Sequence, residues 1–210
     1  RQRQMCIRDS INIEERPSGE ISLTAGFGTT GEIIGGGLKE KNFFAYKNKI
    51  YLIGGRRINP TDEFDVNTKT WTQKSKPPIE IHHFQPLVIG NAVYIIGALT
   101  GPFPNEKAVD RVLIYYPDED KYIFGDSIPK NRKRGAAGLT YHKNKIYMLG
   151  GLTNGHMDGF QSWFDSYDIK SGEWEILDDA PDKRDHFQAL VLNCLLYTSP
   201  SPRDRTRSRM

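Results

Sequence analysis

Ile50-Tyr51-Leu52-Ile53-Gly54-Gly55 is an apolar, β-branched and aromatic run that stops on two small residues. It returns as Val93-Tyr94-Ile95-Ile96-Gly97-Ala98 and again as Ile146-Tyr147-Met148-Leu149-Gly150-Gly151. Each copy reads as a short buried strand ending in a tight backbone bend. A second signal keeps step with it. Phe64-Asp65-Val66-Asn67-Thr68-Lys69-Thr70-Trp71 matches Tyr167-Asp168-Ile169-Lys170-Ser171-Gly172-Glu173-Trp174, and a degenerate copy, Tyr115-Tyr116-Pro117-Asp118-Glu119-Asp120-Lys121-Tyr122, lies between them. The closing aromatics stand at 71, 122 and 174, a period of 51 to 52 residues. Self-similarity at that length is the mark of a propeller or a repeat array.

Within one period the residues spell four short strands. Phe43–Tyr46 runs into the polar turn Lys47-Asn48-Lys49, and Ile50–Gly55 leaves it, which makes a hairpin. Phe64–Val66, a four-residue turn and a strand opened by Trp71 complete the unit, which Pro77-Pro78 breaks. The second unit reads His83–Val88, Val93–Ile96, Arg111–Tyr116 and Lys121–Phe124, and the third Ala136–Tyr141, Ile146–Leu149, Trp163–Tyr167 and Glu173–Ile176. Phe187–Leu192 begins a fourth. With no amphipathic helical stretch, the expected fold is all-β: a β-propeller of four-stranded antiparallel blades, about three of them present. The units span roughly 41–82, 83–134 and 135–185, with the start of a fourth at 186–193. Residues 11–40 form a loop-rich, glycine-rich lead-in. Their Gly26-Phe27-Gly28-Thr29-Thr30-Gly31 fits G-x-G-x-x-G, but three glycines follow where a nucleotide site needs a helix.

The two ends read differently from the middle. Residues 1–10, RQRQMCIRDS, and 194–210, CLLYTSPSPRDRTRSRM, resemble translated sequencing adaptor and are set aside as non-native. A basic nucleic-acid-binding tail carried by Arg203, Arg205, Arg207 and Arg209 is set aside with them, and no nucleic-acid partner is expected. The chain has 29 basic and 26 acidic residues, net +3. Seven of the former and two of the latter lie in those ends, which leaves 22 and 24, a mildly acidic −2. Cys6 and Cys194 also fall there, so the middle offers no disulfide, thiolate nucleophile or zinc–thiolate site. No stretch is apolar and long enough for a transmembrane helix.

The repeat residues resemble the kelch repeat. Its hallmarks are the Gly-Gly pair ending the second strand (Gly54-Gly55, Gly150-Gly151), a Tyr three positions before it (Tyr51, Tyr147), and the Tyr-Asp…Trp run (Tyr167-Asp168…Trp174). The middle unit departs mildly, with Ala98 and Tyr122. Over residues 41–193 the resemblance implies a kelch β-propeller, usually of about six or seven blades. The remaining blades are then expected outside this chain, and a piece with two uncovered blade faces is expected to be aggregation-prone or poorly folded alone. More narrowly, His82-His83-Phe84-Gln85, Arg132–Gly138, Arg184–Gln188 and Asn154–Gly159 resemble a bacterial, exported, galactose-oxidase-like kelch group. That likeness implies an extracellular or periplasmic location. The copper chemistry of galactose oxidase itself requires a cysteine-crosslinked tyrosine, which residues 11–193 do not supply.

Strand alternation puts the tight turns on one end of the blades and the loops after each second strand on the other. The loops Leu99–Asp110 and Leu152–Ser162 are long and polar, the usual layout of a binding face on a rigid scaffold. The candidate ligand-binding residues map there: His82, His83, Gln85, Arg132, Arg134, His156, Asp158, Asp185, His186 and Gln188. His83 and His186 are 103 residues apart, two blades on, and each is followed by Phe-Gln. Aligned on the innermost strand, Glu40, His83, Gly135 and His186 coincide, which points the histidines at the channel mouth.

Such residues can tether one blade's loop to the next, touch a ligand, hold a metal through imidazole nitrogens, or work as acid and base with Asp185 as orienter. Arg132 and Arg134 have the fork for a carboxylate or a pair of sugar hydroxyls, and Trp163 and Phe160 offer an apolar platform. The expected function is a binding module for carbohydrate or protein, with no cofactor, no metal and no catalytic residue assigned. The alternative is a carbohydrate-active enzyme, a sugar mutarotase or an oxidase-like propeller.

Overall fold

The computed structural model describes residues 41–192 and 195–198. The adaptor-like 1–10, the lead-in 11–40 with its glycine run, and 199–210 lie outside the described residues. The first sheet is β1 (Lys41–Tyr46), β2 (Lys49–Gly54), β3 (Asp62–Asp65) and β4 (Thr70–Gln73), ordered β1-β2-β3-β4. The second is built from β5 (Leu87–Ile89) and β6 (Ala92–Ile95), then β9 (Arg111–Tyr116) and β10 (Lys121–Ser127). Between them the chain makes a small hairpin of β7 (Leu99–Thr100) and β8 (Lys107–Ala108). The third holds β11 (Gly138–His142), β12 (Lys145–Leu149), β15 (Phe164–Asp168) and β16 (Trp174–Leu177), with the hairpin β13 (Leu152–Asn154) and β14 (Asp158–Phe160) in the matching loop. β17 (Ala189–Leu192) pairs with β18 (Leu195–Thr198) to open a fourth. Every pairing is antiparallel, each sheet is one blade, and there is no helix among the described residues.

Two details differ from the sequence reading. Leu195–Thr198, set aside with the adaptor-like tail, stands in β18, and Leu196 is buried. The innermost strands of the second and third blades begin at Leu87 and Gly138, later than His83 and Ala136. The reason is local. His83, Ala136 and His186 all have φ near +50°, a left-handed turn that bends the chain before the strand can start.

The core lies between blades. Phe44, Tyr51 and Ile53 of the first blade pack on Phe84, Val93, Leu113 and Tyr115 of the second. Val112 and Ile114 of the second pack on Leu139, Met148 and Tyr167 of the third, and Leu149 and Phe164 of the third on Phe187 and Leu196 of the fourth. The repeat aromatics pair as the motif suggests: Phe64 with Trp71 at 4.9 Å, Tyr115 with Tyr122 at 4.4 Å and Tyr167 with Trp174 at 4.9 Å. Tyr115 and Tyr167 are covered by the preceding blade. Trp71, with no preceding blade among the described residues, is 56% exposed. Polar ties back the apolar contact: Tyr46 Oη donates to Asp118 at 2.7 Å and Tyr167 Oη to Asp126 at 2.6 Å, each across a blade boundary.

The Gly-Gly pair ending each second strand explains itself at this boundary. Gly54 and Gly150 have φ of +75° and +64°. A Cβ on Gly54 would stand 2.5 Å from Ile81 O and 2.8 Å from the Phe84 ring; one on Gly150 would collide with Arg184 O and press on Phe187. The glycines therefore leave room for the next blade's entry segment as well as for the bend.

Candidate functional site

The entry segments of successive blades carry equivalent residues. Gly55 N–H donates to Ile81 O, and Gly151 N–H to Arg184 O. His82 exchanges backbone bonds with Leu99, and Gly135 with Leu152. Ala136 N–H donates to His83 O, and His186 N–H to Ala136 O, both at 3.0 Å. The equivalent triplet is therefore His83, Ala136 and His186, one residue later in the third unit than the Gly135 that sequence alignment selected. These residues form a backbone chain from blade to blade along the inner edge, beside innermost strands β5, β11 and β17.

In His-Phe-Gln each residue has a separate task. Phe84 and Phe187 are fully buried wedges against Gly54 and Gly150 of the preceding blade. Gln85 crosses between later blades: its Oε1 accepts Leu139 N–H at 2.9 Å and Ala189 N–H at 3.2 Å, and its Nε2 donates to Ala189 O at 3.3 Å. Gln188 occupies the matching position and is buried. The left-handed residue ahead of each Phe turns the histidine to the inner edge.

Three histidines meet there. The rings of His83 and His186 are 5.0 Å apart, His83 and His156 4.6 Å, and His156 and His186 4.9 Å, centroid to centroid. His156 arrives from the β13–β14 turn. That turn packs on the β7–β8 loop, with His156 N–H bonded to Pro104 O at 3.3 Å. His82 is buried directly behind, its Nδ1 2.6 Å from His83 Nδ1 and its Nε2 3.3 Å from Gly101 O. Asp185 Oδ2 accepts from His186 Nδ1 at 2.7 Å. Burial first, then the neighbouring His186, His82, His156 and Arg56, pulls the His83 pKa down to about 2, so this imidazole is neutral at pH 7.

The sequence reading brought His83 and His186 to one place. It did not single out Glu106, which is buried, bonded to Arg56 at 2.8 Å and 3.6 Å from His156 Nδ1. The signal was one acidic residue in a long loop, which only the packing of two hairpins resolves.

The remaining candidates stand apart from the histidines. Arg134 is wholly buried. It donates to Gly150 O at 2.5 Å, Arg132 O at 2.9 Å and Met148 O at 2.8 Å, and pairs with Asp165 Oδ2 at 2.6 Å. Arg132 bonds Asp165 Oδ1 at 2.8 Å and lies over the Trp163 ring at 4.4 Å. The Arg134 fork, read as a ligand clamp, is thus occupied by backbone carbonyls and Asp165, while Arg132 is held through its Nε and its stack on Trp163. Phe160 pairs across its hairpin with Leu152, and exposed Asp158 accepts Gly159 N–H at 2.6 Å inside the same turn. Two large apolar side chains flank the histidines in the open: Phe103, 58% exposed with its ring 5.6 Å from His156, and Met157, 65% exposed.

Fold and repeat together define part of a kelch-type β-propeller. The Kelch motif family matches residues 133–181. Among curated relatives, Kelch-like protein 40 of Xenopus laevis is 28% identical over 158 residues, 72% of this chain and 24% of its own. Kelch-like protein terF of Aspergillus terreus is 26% identical over 164 residues, 71% of this chain and 36% of its own. The chain spans about a quarter to a third of the length of these relatives. A solved structure of YjhT superimposes with a TM-score of 0.64 at 13% identity, covering 81% of this chain and 62% of that one, a likeness of fold.

Proposed function

We propose that this chain is part of a propeller that recognises a partner protein through its loop face. The observation that carries the reading is the pair Phe103 and Met157. They stand exposed on two hairpins that pack on each other above a rigid, backbone-locked inner edge. Aromatic and methionine side chains are enriched at protein–protein interfaces, and an exposed apolar pair on a preorganised base suits an anchor at low ordering cost. The similarity to Kelch-like proteins supports the same reading. A sugar ligand is less well served: the Trp163 face that would stack a sugar ring already carries the Arg132 guanidinium, and Arg134 is enclosed.

The test is a displayed peptide library selected against the immobilised chain, with the winners titrated on variants. Phe103→Ala with Met157→Ala is expected to weaken them by about 10-fold or more, at unchanged thermal stability, because both side chains are solvent-facing. Binders indifferent to the double variant but lost on Tyr141→Ala, at the tight-turn end, would sink the proposal. Saturable binding on a glycan array without peptide binders would move it to the carbohydrate reading.

A further inference from the structure

We propose that His83, His156 and His186 form a three-imidazole centre for a divalent transition metal of the zinc class. The residues come from three separated places: the entry to the second blade, the β13–β14 turn and the entry to the fourth blade. One ring nitrogen of each lies within 4.8 Å of the other two. A tetrahedral ion with metal–nitrogen bonds of about 2.0–2.1 Å holds its ligand nitrogens about 3.4 Å apart, so each ring has to advance by less than about 1 Å. Imidazole suits zinc, copper, nickel and iron, and nothing softer is present in the cluster.

The groups behind the rings are the independent observation. His186 Nδ1 donates to Asp185, which puts the lone pair of that ring on Nε2. His82 Nε2 faces two oxygens, Gly101 O at 3.3 Å and Glu80 Oε1 at 3.5 Å, and so carries the proton. His82 Nδ1 then accepts from His83 Nδ1, and the His83 lone pair is also on Nε2. His156 Nδ1 faces Glu106, itself held by Arg56. Each of the three rings thus has a polar group set against its Nδ1, with a carboxylate behind two of them. That is the outer layer that orients metal-binding histidines, and mere ring packing does not require it. Three protein ligands leave a fourth position. His83 and His156 are partly exposed, so it opens to water or to a side chain of a bound partner.

This goes beyond the docking reading and is tested without a partner. The full chain, stripped with a chelator, is titrated with Co²⁺ and then Zn²⁺. The expected result is saturable uptake of one ion per chain, with the strong visible absorption of four-coordinate Co²⁺, bleached by Zn²⁺. His156→Ala, in a surface turn, should lower Zn²⁺ affinity by at least about 100-fold, and Asp185→Asn by about 10–100-fold through loss of ring orientation. His142→Ala, at the tight-turn end, should change nothing. Absence of the Co²⁺ spectrum in the parent chain overturns the proposal whatever the variants do. So does an affinity that His156→Ala leaves intact, or that His142→Ala lowers equally.

Discussion

Replacing Arg134 with methionine is expected to destabilise the chain by about 3–5 kcal/mol, the range found when one partner of a buried ion pair is removed. The side chain is 0% exposed, and its guanidinium bonds the carbonyls of Arg132, Met148, Gly150 and Trp163 besides pairing with Asp165. Methionine fills much of the volume and none of those bonds. Asp165 keeps Arg132 alone, and the Gly150, Met148 and Arg132 carbonyls lose their donor in a place water cannot reach. Burial, partly opposed by Asp165, draws the Arg134 pKa down to about 10, so the group is still charged at neutral pH and the pair is ionic. Lysine offers one ammonium where a planar fork meets four carbonyls and a carboxylate, so Arg134→Lys should recover only part of the loss. Urea unfolding followed by tryptophan fluorescence measures both. A midpoint unmoved by Arg134→Met would mean that the guanidinium is not enclosed as described.

Gly150→Val should cost about 3–5 kcal/mol by a different route. Two terms add: a β-branched residue at φ +64°, and atoms forced into Arg184 O and the Phe187 ring. The damage falls on the boundary between the third and fourth blades. Phe187 and Leu196 should therefore gain amide exchange before the first blade does. A valine variant that melts with the parent would show that the fourth blade's entry does not dock on this glycine.

Most of the architecture was legible because kelch blades repeat. A 51–52-residue period with glycines at one strand end and aromatics at another fixes strand order, pairing and the inter-blade core. The one-residue alignment error at Gly135 came from reading the entry segment as strand. A left-handed residue there leaves no mark in sequence when it is His or Ala instead of glycine. Leu195–Thr198, set aside by its resemblance to adaptor and not by its apolar pattern, occupies β18, a placement that does not bear on its origin. The site was legible only in part. His83 and His186 share a repeat position, whereas His156 and Glu106 sit in loops of unlike length whose meeting depends on two hairpins packing. Arg132 and Arg134 show a general difficulty: an arginine tied within a blade, to carbonyls or to a carboxylate such as Asp165, and one that clamps a ligand look alike in sequence.

The central claim is that recognition takes place at the loop face, beside the three histidines. Its most direct test is photo-crosslinking of a selected peptide from single photoreactive residues placed at 103, 157, 141 and 176. Positions 141 and 176 are also exposed, on the innermost strand near the tight-turn end and on an outermost strand. The account predicts adducts from 103 and 157 and none from 141 or 176. Adducts from 141 or 176, with 103 and 157 silent, would contradict it.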